Sequence, residues 1–144
     1  MRVLVIETNP GLRALFAREL EEAGVAASGV ATWEEGLRAA REARPDAVLL
    51  DATLSPGTGA WFVREVRADP GLGALPLVGV AFAPGRDREL LDAGVDCCLR
   101  TLPTRGEVWK AVQWALDVYR DRRGDPGRTD SPPPPPHVVA GITR

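Results

Sequence analysis

Apolar and polar residues along the chain switch between two periods. Arg2–Ile6, Ala47–Leu50 and Leu77–Ala81 are short, almost continuous apolar runs, the pattern of strands covered on both faces of a sheet. Val25–Ala31 and Asp96–Leu99 are further strand candidates, the first weakly apolar as befits a sheet edge. Segments with helical spacing lie between them. Asn9 followed by Pro10 reads as N-cap and first residue of a helix ending at Gly24, with Leu12, Leu15, Phe16 and Leu20 as its apolar stripe. Thr32-Trp33-Glu34-Glu35 is a capping box that opens a second helix, ending near Pro45. A third is expected from about Gly59 to Asp69, a fourth from about Asp87 to Ala93 with Gly94 closing it, and a fifth from about Thr104 to Asp121.

Strands alternating with helices make right-handed crossovers and a parallel sheet. The pattern predicts an α/β doubly wound sheet of order 2-1-3-4-5, in which the C-terminal ends of strands 1 and 3 lie side by side at the switch point. Glu7 ends the first apolar run and Asp51 ends the third. Two carboxylates at neighbouring strand ends predict one acidic pocket.

Composition narrows the choices. The 144 residues suit one domain, and 44% apolar content supports a core. From Arg122 the sequence turns polar and leads to Pro132–Pro136, so a folded domain over 1–121 and a disordered, Pro-rich tail over 122–144 with a polyproline II stretch are expected. No second folded unit is expected after about residue 121, so output is expected through a partner. The net charge of −2 argues against recruitment of nucleic acid or membrane. No apolar run approaches the ~20 residues of a bilayer span, and no signal-type segment opens the chain, so a cytoplasmic protein is expected. The one histidine, His137, sits in the proline tract, which argues against a histidine triad or metal cluster. The one lysine, Lys110, precedes Ala111, so there is no Gly-Lys-Ser/Thr phosphate loop, and Glu7-Thr8-Asn9-Pro10-Gly11 is no dinucleotide loop. Cys97 and Cys98 are neighbours and read as small hydrophobes in a strand. On the fifth helix, Trp114 lies roughly 240° from Val108 and is expected to face away from the core as a contact surface, with Trp109 at the edge of the stripe.

With these residues in place, the chain over 1 to about 121 resembles the receiver domain of bacterial response regulators, in an atypical, pseudo-receiver variant. Arg2 to Pro10 looks like the family's first strand and acidic pair. Pro45 to Asp51 looks like the segment ending in the phosphorylated aspartate, with Gly59 eight residues on. Leu75–Val80 and Ala93–Leu99 resemble the fourth strand and the approach to the fifth. The resemblance implies a flavodoxin-like (βα)5 sandwich and phosphoryl transfer from a histidine kinase or small donor to Asp51. It implies Mg2+ held by the acids, a Ser or Thr and a Lys on the phosphoryl oxygens, and an aromatic switch residue on strand 5.

Carried over residue by residue, Asp51 matches the acceptor and Glu7 the first acid, while the second acid falls on Thr8. Thr53 is positioned to offer a backbone carbonyl to a metal. The switch hydroxyl falls on Ala81, the aromatic on Cys98 and the lysine on Thr101 or Leu102. Pro56 stands five residues after the acceptor instead of four. A degraded pocket is therefore expected, with weak Mg2+ binding and weak or absent phosphorylation, in a signalling domain that is not an enzyme beyond slow self-phosphorylation. A histidine kinase or another signalling protein is the expected partner, with a homodimer through helix 4, strand 5 and helix 5 as a further expectation. A phosphorylation-independent scaffold is the alternative. An aspartate-nucleophile phosphatase is disfavoured by Thr53, where that chemistry wants a second aspartate, and by the lack of a suitable lysine.

Overall fold

The computed structural model describes residues 1–52, 58–100, 106–124 and 133–140, the last helix by its backbone alone beyond Val118. The elements follow in the order β1 (Arg2–Ile6), α1 (Pro10–Glu22), β2 (Ala26–Val30), α2 (Trp33–Ala43), β3 (Ala47–Asp51), α3 (Thr58–Ala68), β4 (Leu77–Val80), α4 (Arg86–Ala93), β5 (Cys97–Leu99), α5 (Glu107–Gly124) and β6 (Val138–Ala140). The local signals act as their chemistry requires. The Asn9 side chain accepts from the N–H groups of Gly11 and Leu12, at 2.8 and 3.1 Å, and so caps α1. Thr32 Oγ1 accepts from the Glu35 N–H at 3.1 Å and so caps α2, and the same hydroxyl donates to the Glu35 carboxylate at 3.2 Å.

The sheet order is β2-β1-β3-β4-β5-β6. Its first five strands are parallel neighbours in the predicted order, and β2 is the exposed edge that its weak apolarity implied. Alternate residues of each strand face opposite sides. Val3, Val5, Leu49 and Leu99 pack with α1 and α5, whereas Leu4, Ile6, Leu50 and Leu77 pack with α2, α3 and α4. The doubly wound architecture is thus built from two apolar layers on one sheet.

Three expectations need correction. Leu15 is 41% exposed and lies outside the stripe of α1, which is carried by Phe16 and Leu20 with Leu12 packed beside them. The sheet has six strands, not five, because Val138–Ala140 pairs antiparallel with β5. Pro133–Ala140 therefore does not belong to a disordered tail, and α5 continues past the expected boundary at residue 121, to Gly124. The proline content of the tail dominated its composition, while the Val-Val-Ala run that follows is strand-forming and finds the backbone groups of β5 unpaired. Residues 125–132 and 141–144 lie outside the described residues.

Candidate functional site

Register fixes the site. Ile6 pairs with Leu50 and Asp51 with Val80, so Glu7, Asp51 and Val80 stand level across the C-terminal ends of β1, β3 and β4, with Ala81 one residue further on. The Ala81 N–H donates to the Leu99 carbonyl at 2.9 Å, which ties this rim to the end of β5.

Glu7 is only 6% exposed. Its Oε1 accepts from the Asn9 N–H at 2.9 Å. Its Oε2 meets no hydrogen-bond donor while both acids are ionised. Two carboxylates hydrogen-bond to each other only when one carries a proton. Burial, then a side-chain hydrogen bond to Asp51, push the Glu7 carboxyl up to about 8, against a weaker downward pull from the Asn9 N–H and the Arg13 charge. At neutral pH Glu7 therefore keeps its proton. Asp51 itself is half-buried.

Arg13 is the residue that sequence reading missed. From the first turns of α1 its Nη1 donates to the Glu7 backbone carbonyl at 2.9 Å. The available signal was the N-cap at Asn9, which sets α1 running away from the strand end and leaves Arg13 one turn above it. The wall beyond β3 is packed by Trp33, whose Nε1 donates to Thr58 Oγ1 at 2.8 Å and whose ring lies 5.7 Å from that of Phe62. Gly59 is needed in this wall, since a Cβ there would lie 2.7 Å from Ala52 Cβ.

The other predicted residues are placed as follows. Thr8 is exposed beside the pocket, and Lys110 is exposed on α5. Ala81 and Cys98 are buried in the layer that packs α2, α3 and α4. Cys97 faces the opposite layer, and burial raises both thiols, that of Cys98 to about 12 with Asp87 adding to the effect. They are inert packing groups at neutral pH. Thr53, Pro56, Thr101 and Leu102 lie outside the described residues.

Trp114 is not the outward-facing residue expected of it. The buried positions of α5, from Val118 through Val108 to Leu116, span an arc of about 160° at about 100° per residue. Trp109 and Trp114 lie about 20° and 40° beyond its two ends, half-buried and packed against the same layer. Taking Val108 alone as the centre of the face made the core side too narrow. The exposed tryptophan among the described residues is Trp61 on α3, at 38%.

The donor set suits a hard cation in kind but is thin in number. Carboxylate oxygens are the ligands Mg2+ prefers, and Glu7 Oε2 meets no donor. Yet the described residues hold no group of three His, Cys, Asp or Glu side chains that could share a metal ion.

No family model matches the chain. Among curated proteins it is 29% identical over 116 residues to the KDP operon transcriptional regulatory protein KdpE of Escherichia coli, covering 79% of this chain and 50% of that protein. It is 35% identical over 71 residues to the DNA-binding response regulator MtrA of Mycolicibacterium smegmatis, covering 49% of this chain and 31% of that protein. The chain thus spans half or less of the length of these two relatives. Among solved structures, the receiver domain of a sensor histidine kinase from Pseudomonas aeruginosa PAO1, with a magnesium ion in its active-site cleft, superposes with a TM-score of 0.73 at 28% identity, covering 81% of this chain and 97% of that one. A putative response regulator from Chloroflexus aurantiacus superposes at 0.74 with 21% identity, again over 81% and 97%. With the strand order, these similarities show that the described part of the chain has the flavodoxin-like fold of response-regulator receiver domains.

Proposed function

We propose that this chain acts as a receiver domain that signals by protein contact within a two-component system, with Asp51 as phosphoryl acceptor and a pocket too degraded for fast Mg2+-dependent phosphorylation. One observation supports this above the others. Glu7 and Asp51 share a rim at the ends of β1 and β3, and the residue just past the end of the neighbouring β4 is a buried methyl group, Ala81.

In the proposed reaction an Asp51 oxygen forms a P–O bond as the P–N bond of a kinase phosphohistidine breaks, and the departing imidazole nitrogen takes up a proton. The attack brings an anion onto an anion. When bound, Mg2+ supplies the neutralising charge, and Glu7, Asp51 and the backbone carbonyl of Thr53 would hold it. Glu7 must first release its proton, and Thr8 is a poor substitute for a second acid, so this binding is weak. Arg13 is the nearby cation, but its Nη1 is engaged by the Glu7 carbonyl. Ala81 cannot donate to a phosphoryl oxygen, and by the resemblance the family's lysine falls on Thr101 or Leu102. A hydrogen bond to a charged group contributes about 1.5–3 kcal/mol. If the lost contacts act in the transition state, each costs roughly tenfold to a hundredfold in rate. Cys98 in place of an aromatic weakens the conformational response that would follow.

Incubation with acetyl phosphate and Mg2+, followed by intact mass, tests this reading. Slow, substoichiometric labelling that disappears in Asp51→Ala is expected. Rapid, stoichiometric labelling would refute the degraded pocket. The second reading is a phosphorylation-independent scaffold, favoured by the proton that Glu7 keeps at neutral pH. Under it, Asp51→Asn leaves partner affinity unchanged. The proposed partner is a histidine kinase or another signalling protein. A homodimer through α4, β5 and α5 would bring the half-buried Trp109 and Trp114 to its border, and it would have to accommodate β6, which lies along β5.

A further inference from the structure

The free edge of a sheet is a row of backbone N–H and C=O groups that either pair or meet water. On the β5 side of this sheet the row is covered. β6 runs antiparallel to β5, with Ala140 opposite Cys97, Val139 opposite Cys98 and Val138 opposite Leu99. The Arg100 N–H extends the ladder by donating to the His137 carbonyl at 3.3 Å. Val138 is 8% exposed and joins the layer that holds Leu99 and Val108, while Val139 and Ala140 are half-buried. The cover therefore consists of a main-chain ladder and one anchoring side chain. It is also a modest one. β6 has three residues, short against the usual five or six. It is entered through His137 at φ 66°, a left-handed conformation that disfavours any residue with a Cβ.

A backbone ladder for affinity and a side-chain seat for selectivity are how sheet edges take extended peptides. We propose that the β5 edge is a strand-binding groove filled in cis by Val138–Ala140, and that its occupant in trans is an extended apolar peptide running antiparallel to β5 with a β-branched side chain in the seat of Val138. The tether gives β6 an effective concentration that reaches the millimolar range. A strand in trans therefore engages only when β6 lets go. The groove lies along β5 and does not depend on the chemistry of Asp51.

The test uses the full chain, as wild type and as Val138→Asp, with Val138→Thr as the milder variant should the charge prevent folding. The probe is a fluorescein-labelled peptide of residues 134–140. Val138→Asp, or Val138→Thr in its place, is expected to bind the peptide saturably and at least tenfold more tightly than the wild type. A peptide carrying the Val138→Asp change should bind neither protein. Hydrogen exchange at the Arg100 amide is expected to be faster in the variant and to slow again when the peptide is added. Three results would each overturn the proposal: equal affinity for wild type and variant, no binding to either variant, or sedimentation showing that a second copy of the chain fills the edge instead of the peptide.

Discussion

A glutamate buried against an aspartate meets its desolvation cost by keeping a proton, and at Glu7 this has a measurable sign. Its folded carboxyl is raised from 4.5 to about 8, so between those values the folded state holds a proton that the unfolded chain has released. Stability contributed by this group is complete below about pH 4.5 and is lost as pH rises towards 8, at up to about 1.4 kcal/mol per pH unit for one proton. Urea denaturation in EDTA at pH 5, 6.5 and 8 should show that decline in the wild type and a flatter profile in Glu7→Gln, which cannot titrate. An identical slope in both proteins would mean that Glu7 ionises normally. Glu7 and Asp51 were legible in the sequence because each ends an apolar run, and an acid at a strand end stands out. Arg13 was not, because an arginine in a helix reads as a solvated residue until the capped helix is set against the strand.

Between elements, Arg67 makes a polar tie of four hydrogen bonds. From the end of α3 its guanidinium donates to the carbonyls of Gly94, Gly73 and Leu75, at 2.8, 3.1 and 2.6 Å, and to the Asp96 carboxylate at 3.0 Å. Asp96 is 7% exposed and also accepts from the Leu77 N–H at 2.8 Å. The cluster joins α3, the approach to β4 and the turn into β5. Removing one partner of a buried pair leaves the other charge unpaired, typically at about 3–5 kcal/mol. Arg67→Ala should therefore lower unfolding stability by about 3 kcal/mol in urea, whereas a change within about 0.5 kcal/mol, the usual range for surface positions, would show that water replaces it.

A close approach of the same kind sets α4 on the sheet. A Cβ at Gly79 would lie 2.7 Å from Leu90 Cδ1 and 2.8 Å from Cys98 Sγ. Gly79→Ala is expected to cost about 1–3 kcal/mol by overpacking, read as a drop in melting temperature. An unchanged melting point would show that α4 shifts freely. These ties were not legible, because neither a lone arginine nor a glycine in an apolar run announces its partners. The same holds for Trp114, where a single reference residue misjudged the width of the buried face, and for β6, where prolines masked a strand-forming run.

At the scale of the molecule, periodicity was enough. Short apolar runs separated by capped amphipathic helices permit few arrangements once crossovers are right-handed, and the order of the five parallel strands followed from that. The antiparallel sixth strand did not, since three residues carry too little pattern to read. The pocket follows from the topology, because the switch point brings β1 and β3 together at their C-terminal ends. Whether that pocket still transfers phosphate quickly is the central question, and restoration addresses it more directly than loss. Under the proposed function, Thr8→Asp, Ala81→Ser and Thr101→Lys combined would return one metal ligand and two phosphoryl contacts. With acetyl phosphate and Mg2+, the triple variant should label at Asp51 at least ~100-fold faster than the wild type. A wild-type chain that labels as fast as the triple variant would contradict a degraded pocket.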